Sequence, residues 1–204
     1  MLNRIVLLIG LFLGPSAKSE YFDEREFWTY CAEKSLVEVS AEGNLGNGVR
    51  IEDGKTIITC AHVVGDKKWV LLNKKWDALV ITADKRLDIA ILRTDSPGLP
   101  MKMVWGFQEG NIGTGVVVAG KLHNQKLEIQ RATVLNHMYG GNPVVNALPK
   151  KGFSGGPVFT PEGLLIGIIR GFAIYDEKEW TEVIPISLIR KIIDETREKF
   201  NKRI

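Results

Sequence analysis

From Leu36 onward the chain is a succession of short apolar segments rich in Val, Ile, Leu and Thr, separated by Gly, Asp and Asn. The first series is "SLVEVSAEG", "GNGVRIEDG", "KTIITCAHVV", "KWVLLN", "WDALVITAD" and "LDIAILRT". β-branched residues in short runs bounded by turn formers predict strands. Asp53-Gly54, between "VRIE" and "KTIIT", signals a hairpin. A loop containing "DSPGLP" follows, and then a second series: "TGVVVAGK", "KLEIQRATVLN", "NPVVNAL", "GPVFT", "LLIGIIRGFAIY" and "WTEVIPI". Two sets of about six strands, with turn signals every 8–12 residues, predict an all-β protein of two small antiparallel barrels packed together.

Helical spacing is confined to the ends. "EYFDEREFWTYCAEKS" lacks Gly and Pro and repeats Phe22, Phe27, Tyr30 and Cys31 at roughly helical intervals, so residues 18–35 are expected to hold one short helix. "ISLIRKIIDETREKF" aligns Leu188, Ile189, Ile192 and Ile193 on one face, an amphipathic helix over 186–200 that packs on the body.

The first residues carry a different pattern. Arg4 precedes the apolar run from Ile5 to Gly14, and Pro15, Ser16 and Ala17 supply small or turn-forming residues after it. That is the layout of a secretory signal over 1–17, or of an uncleaved N-terminal anchor. The run is short against the roughly 20 apolar residues of a membrane span. An exported protein, periplasmic or secreted, is expected. No stable membrane partner is expected beyond that anchor.

At 204 residues, 45% hydrophobic and 25% charged, the chain suits one folded unit and argues against disorder. The net charge of +3 comes from intermixed charges without a basic block, so nucleic-acid binding is not indicated. Export would permit a disulfide between Cys31 and Cys60, and two free buried thiols fit equally well. Neither cysteine has metal-ligand spacing, so no metal and no cofactor are expected.

The chemistry lies in "GFSGGPVF". A serine nucleophile needs a histidine to take its proton, a carboxylate to hold that histidine, and backbone N–H donors for the oxyanion. Gly152 can turn its N–H toward a substrate carbonyl beside that of Ser154. Gly155 and Gly156 carry no side chains to block an approaching peptide. Upstream, His62 closes the apolar strand "TIITCAH", and Asp88 opens the strand "LDIAILRT". A charge at a strand mouth needs a partner. His123 and His137 lie in segments with no matching pattern.

The order His, Asp, Ser and the blocks "GNGVRIEDGKTIITCAHVV", "LDIAIL" and "GFSGGPVF" resemble the active-site blocks of trypsin-like (chymotrypsin-fold) serine proteases. The glycine–small–glycine opening, the Thr-x-x-His-Val-Val strand end and "EVIPISLIRKII" are similar to the bacterial-type HtrA/Deg branch. The resemblance covers roughly residues 36–195. It implies barrel one over about 36–105 and barrel two over about 110–185, within a protease domain of 36–204. His62 would be the general base and acid, Asp88 its orienting partner and Ser154 the nucleophile. The N–H groups of Gly152 and Ser154 would form the oxyanion hole.

Four departures shape the expectation. The few residues after Pro185 leave no room for the PDZ domain usual in that branch. Phe153 stands where the branch commonly has asparagine, beside the nucleophile, and is expected at the pocket mouth or against the oxyanion loop. Cys60 precedes His62, whereas animal trypsins place a cysteine just after the histidine. No Ile-Val-Gly-Gly-like start is present for zymogen activation. The substrate pocket is expected to draw on Leu148, Phe153, Ile169, Arg170 and Gly171. No acidic residue occurs between 140 and 160, which disfavours Lys or Arg selection. A medium apolar preference is expected, with Lys150, Lys151 and Arg170 leaving an acidic one open. The expected function is a serine endopeptidase acting on a protein or peptide. An inactive peptide-binding module and an esterase-like hydrolase remain the alternatives.

Overall fold

The computed structural model describes residues 23–103, 111–122, 126–137 and 142–201. The chain begins there with α1 (Glu24–Ser35), capped by Asp23, whose side chain accepts from the Glu26 N–H while Glu26 reaches back to the Asp23 N–H. This capping box satisfies two otherwise orphaned amides. The buried side of α1 is Trp28, Ala32 and Ser35, with Phe27 and Cys31 half-buried, whereas Tyr30 is exposed. The helix is therefore rotated from the face read by periodicity. Trp28 sets that rotation, because its indole N–H donates to the Pro161 carbonyl at 3.0 Å. Phe22 lies outside the described residues.

Six strands follow: β1 (Leu36–Ala41), β2 (Asn44–Ile51), β3 (Thr56–Thr59), β4 (Trp69–Leu72), β5 (Trp76–Asp84) and β6 (Ile89–Arg93), with the one-turn helix α2 (Ala61–Val64) between β3 and β4. They close into an antiparallel barrel in the order β1-β2-β3-β6-β5-β4. A second closed barrel, β10-β11-β12-β9-β8-β7, is built from β7 (Gly115–Lys121), β8 (Leu127–His137), β9 (Pro143–Val145), β10 (Pro157–Phe159), β11 (Leu165–Tyr175) and β12 (Lys178–Pro185). The two expected six-stranded barrels are thus present, and closure removes the exposed edges that open sheets must protect. The Asp53-Gly54 hairpin joins β2 to β3 with a longer loop than a two-residue turn. Asp53 Oδ1 accepts from the N–H groups of Lys55 and Thr56, and Gly54 takes the positive φ of 74° that the reversal requires.

The chain ends in α3 (Ile186–Asn201), which buries Ile186, Ile189, Ile192 and Ile193. Leu188 is only partly buried, so the helix face begins at Ile186. One apolar cluster joins the first barrel to α1, α3 and the inner ends of β7, β10 and β11. A second fills the other barrel with Val116, Val118, Val134, Val145, Phe153, Val158 and Ile169. Among the described residues no helix is long and apolar enough to cross a membrane. The segment 1–17 lies outside them.

Candidate active site

His62, Asp88 and Ser154 come from three different places on this frame. His62 sits in α2, directly after β3. Asp88 ends the β5–β6 turn in a left-handed conformation, φ 59°, which aspartate tolerates better than most residues. Its carboxylate then meets His62 twice. Oδ1 accepts the His62 backbone N–H at 2.9 Å, and Oδ2 lies 2.8 Å from Nδ1 of the ring. The Asp88 carbonyl also accepts the N–H of Ala61 at 3.1 Å. Position and ring orientation of His62 are therefore fixed by one residue, and among the described residues the other ring nitrogen makes no hydrogen bond.

Ser154 lies in the loop before β10. Its hydroxyl donates to the Arg170 carbonyl at 3.2 Å and shares no hydrogen bond with His62. Around it the backbone amides divide into two groups. Those of Phe153, Gly155 and Gly156 donate inward, to Lys150, Ile169 and Phe153 carbonyls at 3.1, 2.7 and 2.8 Å. Those of Gly152 and Ser154 donate to no acceptor among the described residues. Gly152 reaches this conformation at φ 94°, with nothing within 4 Å of where a Cβ would stand. Two unused N–H groups at the serine are what an oxyanion needs.

The loop is held in place by the first barrel. The Asn47 N–H donates to the Ser154 carbonyl at 2.7 Å. The Asn47 carboxamide donates to the carbonyls of Gly152 and Lys121 and accepts from the Lys121 N–H. Thr59 braces the same strand through Oγ1, 2.6 Å from the Asn47 carbonyl. The sequence reading did not single out Asn47, and its only local signal is a polar residue inside "GNG".

Gly155 and Gly156 have a different task from the expected one. A Cβ on Gly155 would stand 1.9 Å from the Asn47 carbonyl, and one on Gly156 would stand 2.4 Å from that of Ala119. They make room for neighbouring backbone rather than for a passing peptide. Phe153 is also relocated. It is 2% exposed, and its ring occupies the second barrel's core against Gly120, so it offers no surface to a substrate. Of the remaining pocket residues, Ile169 is likewise buried at 3%, while Leu148 stands 64% exposed. Gly171 has open space around it.

Arg170 is only half exposed, and its charge is committed. Nη1 lies 2.9 Å from Glu182 Oε1, and Nε lies 3.7 Å from Asp88 Oδ2. Lys150 is paired with Glu128.

Cys60, His62 and Asp88 place a sulfur, an imidazole and a carboxylate within 4.8 Å of one another. Hydrogen bonds account for these atoms, since Nδ1 is taken by Asp88 and the Cys60 thiol donates to the Ile169 carbonyl at 3.2 Å. Burial, reinforced by the negative charge of Asp88, pushes the Cys60 thiol well above its ordinary range, which opposes the thiolate a metal would require. Cys31 and Cys60 are both free. Cys31 faces Gly163 in the β10–β11 loop, whereas Cys60 is sealed beside Ile169.

Several proteins are similar to this chain in sequence or in fold. Serine protease HTRA1A of Danio rerio is 28% identical over 139 residues, covering 60% of this chain and 29% of that protein. A probable periplasmic serine endoprotease, DegP-like, of Halomonas elongata is 30% identical over 136 residues, covering 61% and 29%. The chain spans about a third or less of the length of the curated relatives it matches. Among solved structures, the serine endoprotease from Yersinia pestis superposes with a TM-score of 0.72 at 22% identity, covering 83% of this chain and 66% of that one. Rv3671c from M. tuberculosis, in the inactive form of a serine-to-alanine mutant, gives 0.73 at 23% identity, covering 84% and 90%. With residues 46–168 matching the trypsin-like peptidase domain, the chain belongs to that family, and HtrA- and DegP-type proteases are among its relatives.

Proposed function

We propose that this protein is an exported serine endopeptidase that cleaves peptide bonds through an acyl-enzyme, with Ser154 as nucleophile. The observation that carries the reading is the double anchoring of His62 by Asp88 beside a serine loop with two unused amides. In the first step the Ser154 hydroxyl leaves the Arg170 carbonyl and gives its proton to the free ring nitrogen of His62 as the oxygen attacks the substrate carbonyl. Asp88 stabilises the resulting imidazolium. The Gly152 and Ser154 N–H groups meet the oxyanion. His62 then protonates the leaving amine, and a water repeats the sequence in reverse to free the acid.

The substrate lies along β11. Among the described residues that strand pairs from Gly171 to Tyr175 only with β12, because β10 covers it no further than Ile168 and the Gly155–Gly156 backbone meets Ile169. An extended peptide fits such an edge by main-chain pairing. Phe172 and Ile174 stand exposed along it at 58% and 67%. The charges of Arg170 and Lys150 are already paired and only exposed Lys151 still favours an acidic side chain, so with Phe172 and Ile174 along the edge apolar side chains are the expected preference. Export rests on the apolar N-terminal pattern and on the periplasmic DegP-like relatives.

The Ser154 hydroxyl on the Arg170 carbonyl favours a second reading, in which the fold binds extended peptides without cleaving them. A fluorophosphonate probe and an unfolded protein substrate separate the two. The wild type labels and cleaves while Ser154→Ala does neither. A folded wild type that does neither establishes the binding module instead.

A further inference from the structure

Beyond Val145 the chain leaves β9 and runs as an arm, residues 146–150, to the turn that carries Ser154. The arm follows β8, whose backbone is open there. From Leu127 to Ala132 that strand pairs only with β7 among the described residues, because β9 covers it from Val134 onward. Side chains replace the missing ladder. The Asn146 N–H donates to the Thr133 carbonyl at 3.1 Å, and its Oδ1 accepts the Thr133 N–H at 2.6 Å. The Gln130 carboxamide then meets both backbone groups of Leu148. Nε2 donates to the carbonyl at 3.2 Å, and Oε1 accepts the N–H at 3.0 Å. Glu128, two residues back on the same face of β8, pairs with the Lys150 ammonium. On its other side the arm is tied at Ala147, whose carbonyl accepts from the N–H and the hydroxyl of Thr181.

Glutamine suits this place. A neighbouring strand would offer Leu148 one donor and one acceptor, and a carboxamide offers the same two groups. Ala132 and Val134 continue the face of Glu128 and Gln130 into the second barrel's core, so the clamp stands on a packed strand. What it holds is next to the chemistry. The Lys150 carbonyl accepts the Phe153 N–H at 3.1 Å and closes the turn in which Gly152 takes φ 94°. The direction of the Gly152 and Ser154 amides therefore depends on where the arm ends.

Resting on the protease reading, we propose that Gln130, supported by Glu128, is a positioning residue for the two oxyanion amides, acting through the arm's backbone at Leu148 and Lys150. Its loss lets the turn shift, and donors aimed at a developing charge lose effect steeply with small displacements. The peptide pairs along β11 rather than along the arm, so binding is largely kept while acylation slows.

Gln130→Met keeps the length of the side chain and removes both hydrogen bonds, whereas Gln130→Glu keeps only the acceptor. The full-length variants, shown to be folded by urea unfolding, are compared with wild type by fluorophosphonate labelling, peptide hydrolysis and backbone-amide NMR. Labelling is expected to slow about tenfold or more in Gln130→Met, with kcat falling and KM holding. Gln130→Glu should fall between. Glu128→Ala should slow labelling about two- to threefold, as suits a part-exposed ion pair. The Leu148 amide should exchange at least about tenfold faster in Gln130→Met, and the Gly152 and Ser154 amide resonances should move. Arg131→Ala is the control, since Arg131 lies on the opposite face of β8 and pairs with Glu24. It should leave labelling unchanged whatever it does to stability. Wild-type labelling in folded Gln130→Met, or unmoved Gly152 and Ser154 resonances, overturns the proposal. If Gln130→Met fails to fold, Gln130→Glu decides on the same readouts. If the wild type never labels, the protease reading falls and the resonances alone decide, displaced ones keeping the clamp and unmoved ones removing it.

Discussion

Phe153 fills the space left by the missing side chain of Gly120, where a Cβ would stand 2.5 Å from the ring. The residue next to the proposed nucleophile is thereby driven into the second barrel's core, and the serine loop is anchored from below by apolar packing. Phe153→Ala should cost about 3–5 kcal/mol through lost burial and a cavity. Gly120→Ala should cost about 1–3 kcal/mol through overpacking. Urea unfolding measures both, and an unchanged midpoint in Gly120→Ala would mean the ring is not seated against it.

Asn47 ties the same loop from the side. Its carboxamide meets Gly152 and both backbone groups of Lys121, so Asn47→Ala takes this partner from two part-buried carbonyls, those of Gly152 and Lys121, and from the Lys121 N–H. A loss of about 1–3 kcal/mol follows for unsatisfied buried groups. Because the Gly152 peptide is part of the proposed oxyanion site, fluorophosphonate labelling should slow at least about tenfold. Equal labelling rates in folded variant and wild type would reduce Asn47 to an ordinary barrel-to-barrel contact.

Asp88→Asn isolates the orienting role. An asparagine oxygen can still accept the His62 N–H, but its NH2 then points at Nδ1 and selects the wrong tautomer. Activity should fall about 10⁴-fold with little loss of fold. A fall below tenfold would show that His62 is oriented by something other than Asp88.

The strands, their division into two barrels and the order of His62, Asp88 and Ser154 were legible because each rests on residue types in local runs. What escaped the sequence is what depends on the approach of one barrel to the other. Asn47 and Lys121 meet only when β2 lies against β7. The glycines after Ser154 could be recognised as necessary, but not that Gly155 makes way for the Asn47 carbonyl. Phe153 read as a pocket residue because its neighbour is the serine, yet Gly120, far back in the chain, decides where its ring goes. Arg170 read as a pocket charge, and only a bulge in the β11–β12 ladder turns it to Asp88.

The buried thiol of Cys60 yields a pH dependence whose sign follows from its environment. Burial, with Asp88 nearby, holds the thiol well above its ordinary value of 9.0, so the folded protein keeps the proton that the unfolded chain surrenders. The stabilisation from keeping Cys60 neutral is thus complete below pH 9.0 and is lost as the pH rises beyond it. The stability difference between wild type and Cys60→Ala should be flat at lower pH. Above 9.0 it should fall by about 1.4 kcal/mol per pH unit. Urea unfolding of both proteins across that range measures the slope directly, because the lysines and tyrosines they share cancel. Iodoacetamide supplies an independent check, since the native protein should be alkylated at half-buried Cys31 and spared at Cys60. Rapid alkylation of Cys60 in the folded protein, or a flat difference above pH 9.0, would show that the site beside His62 opens to solvent more readily than its packing against Ile169 allows.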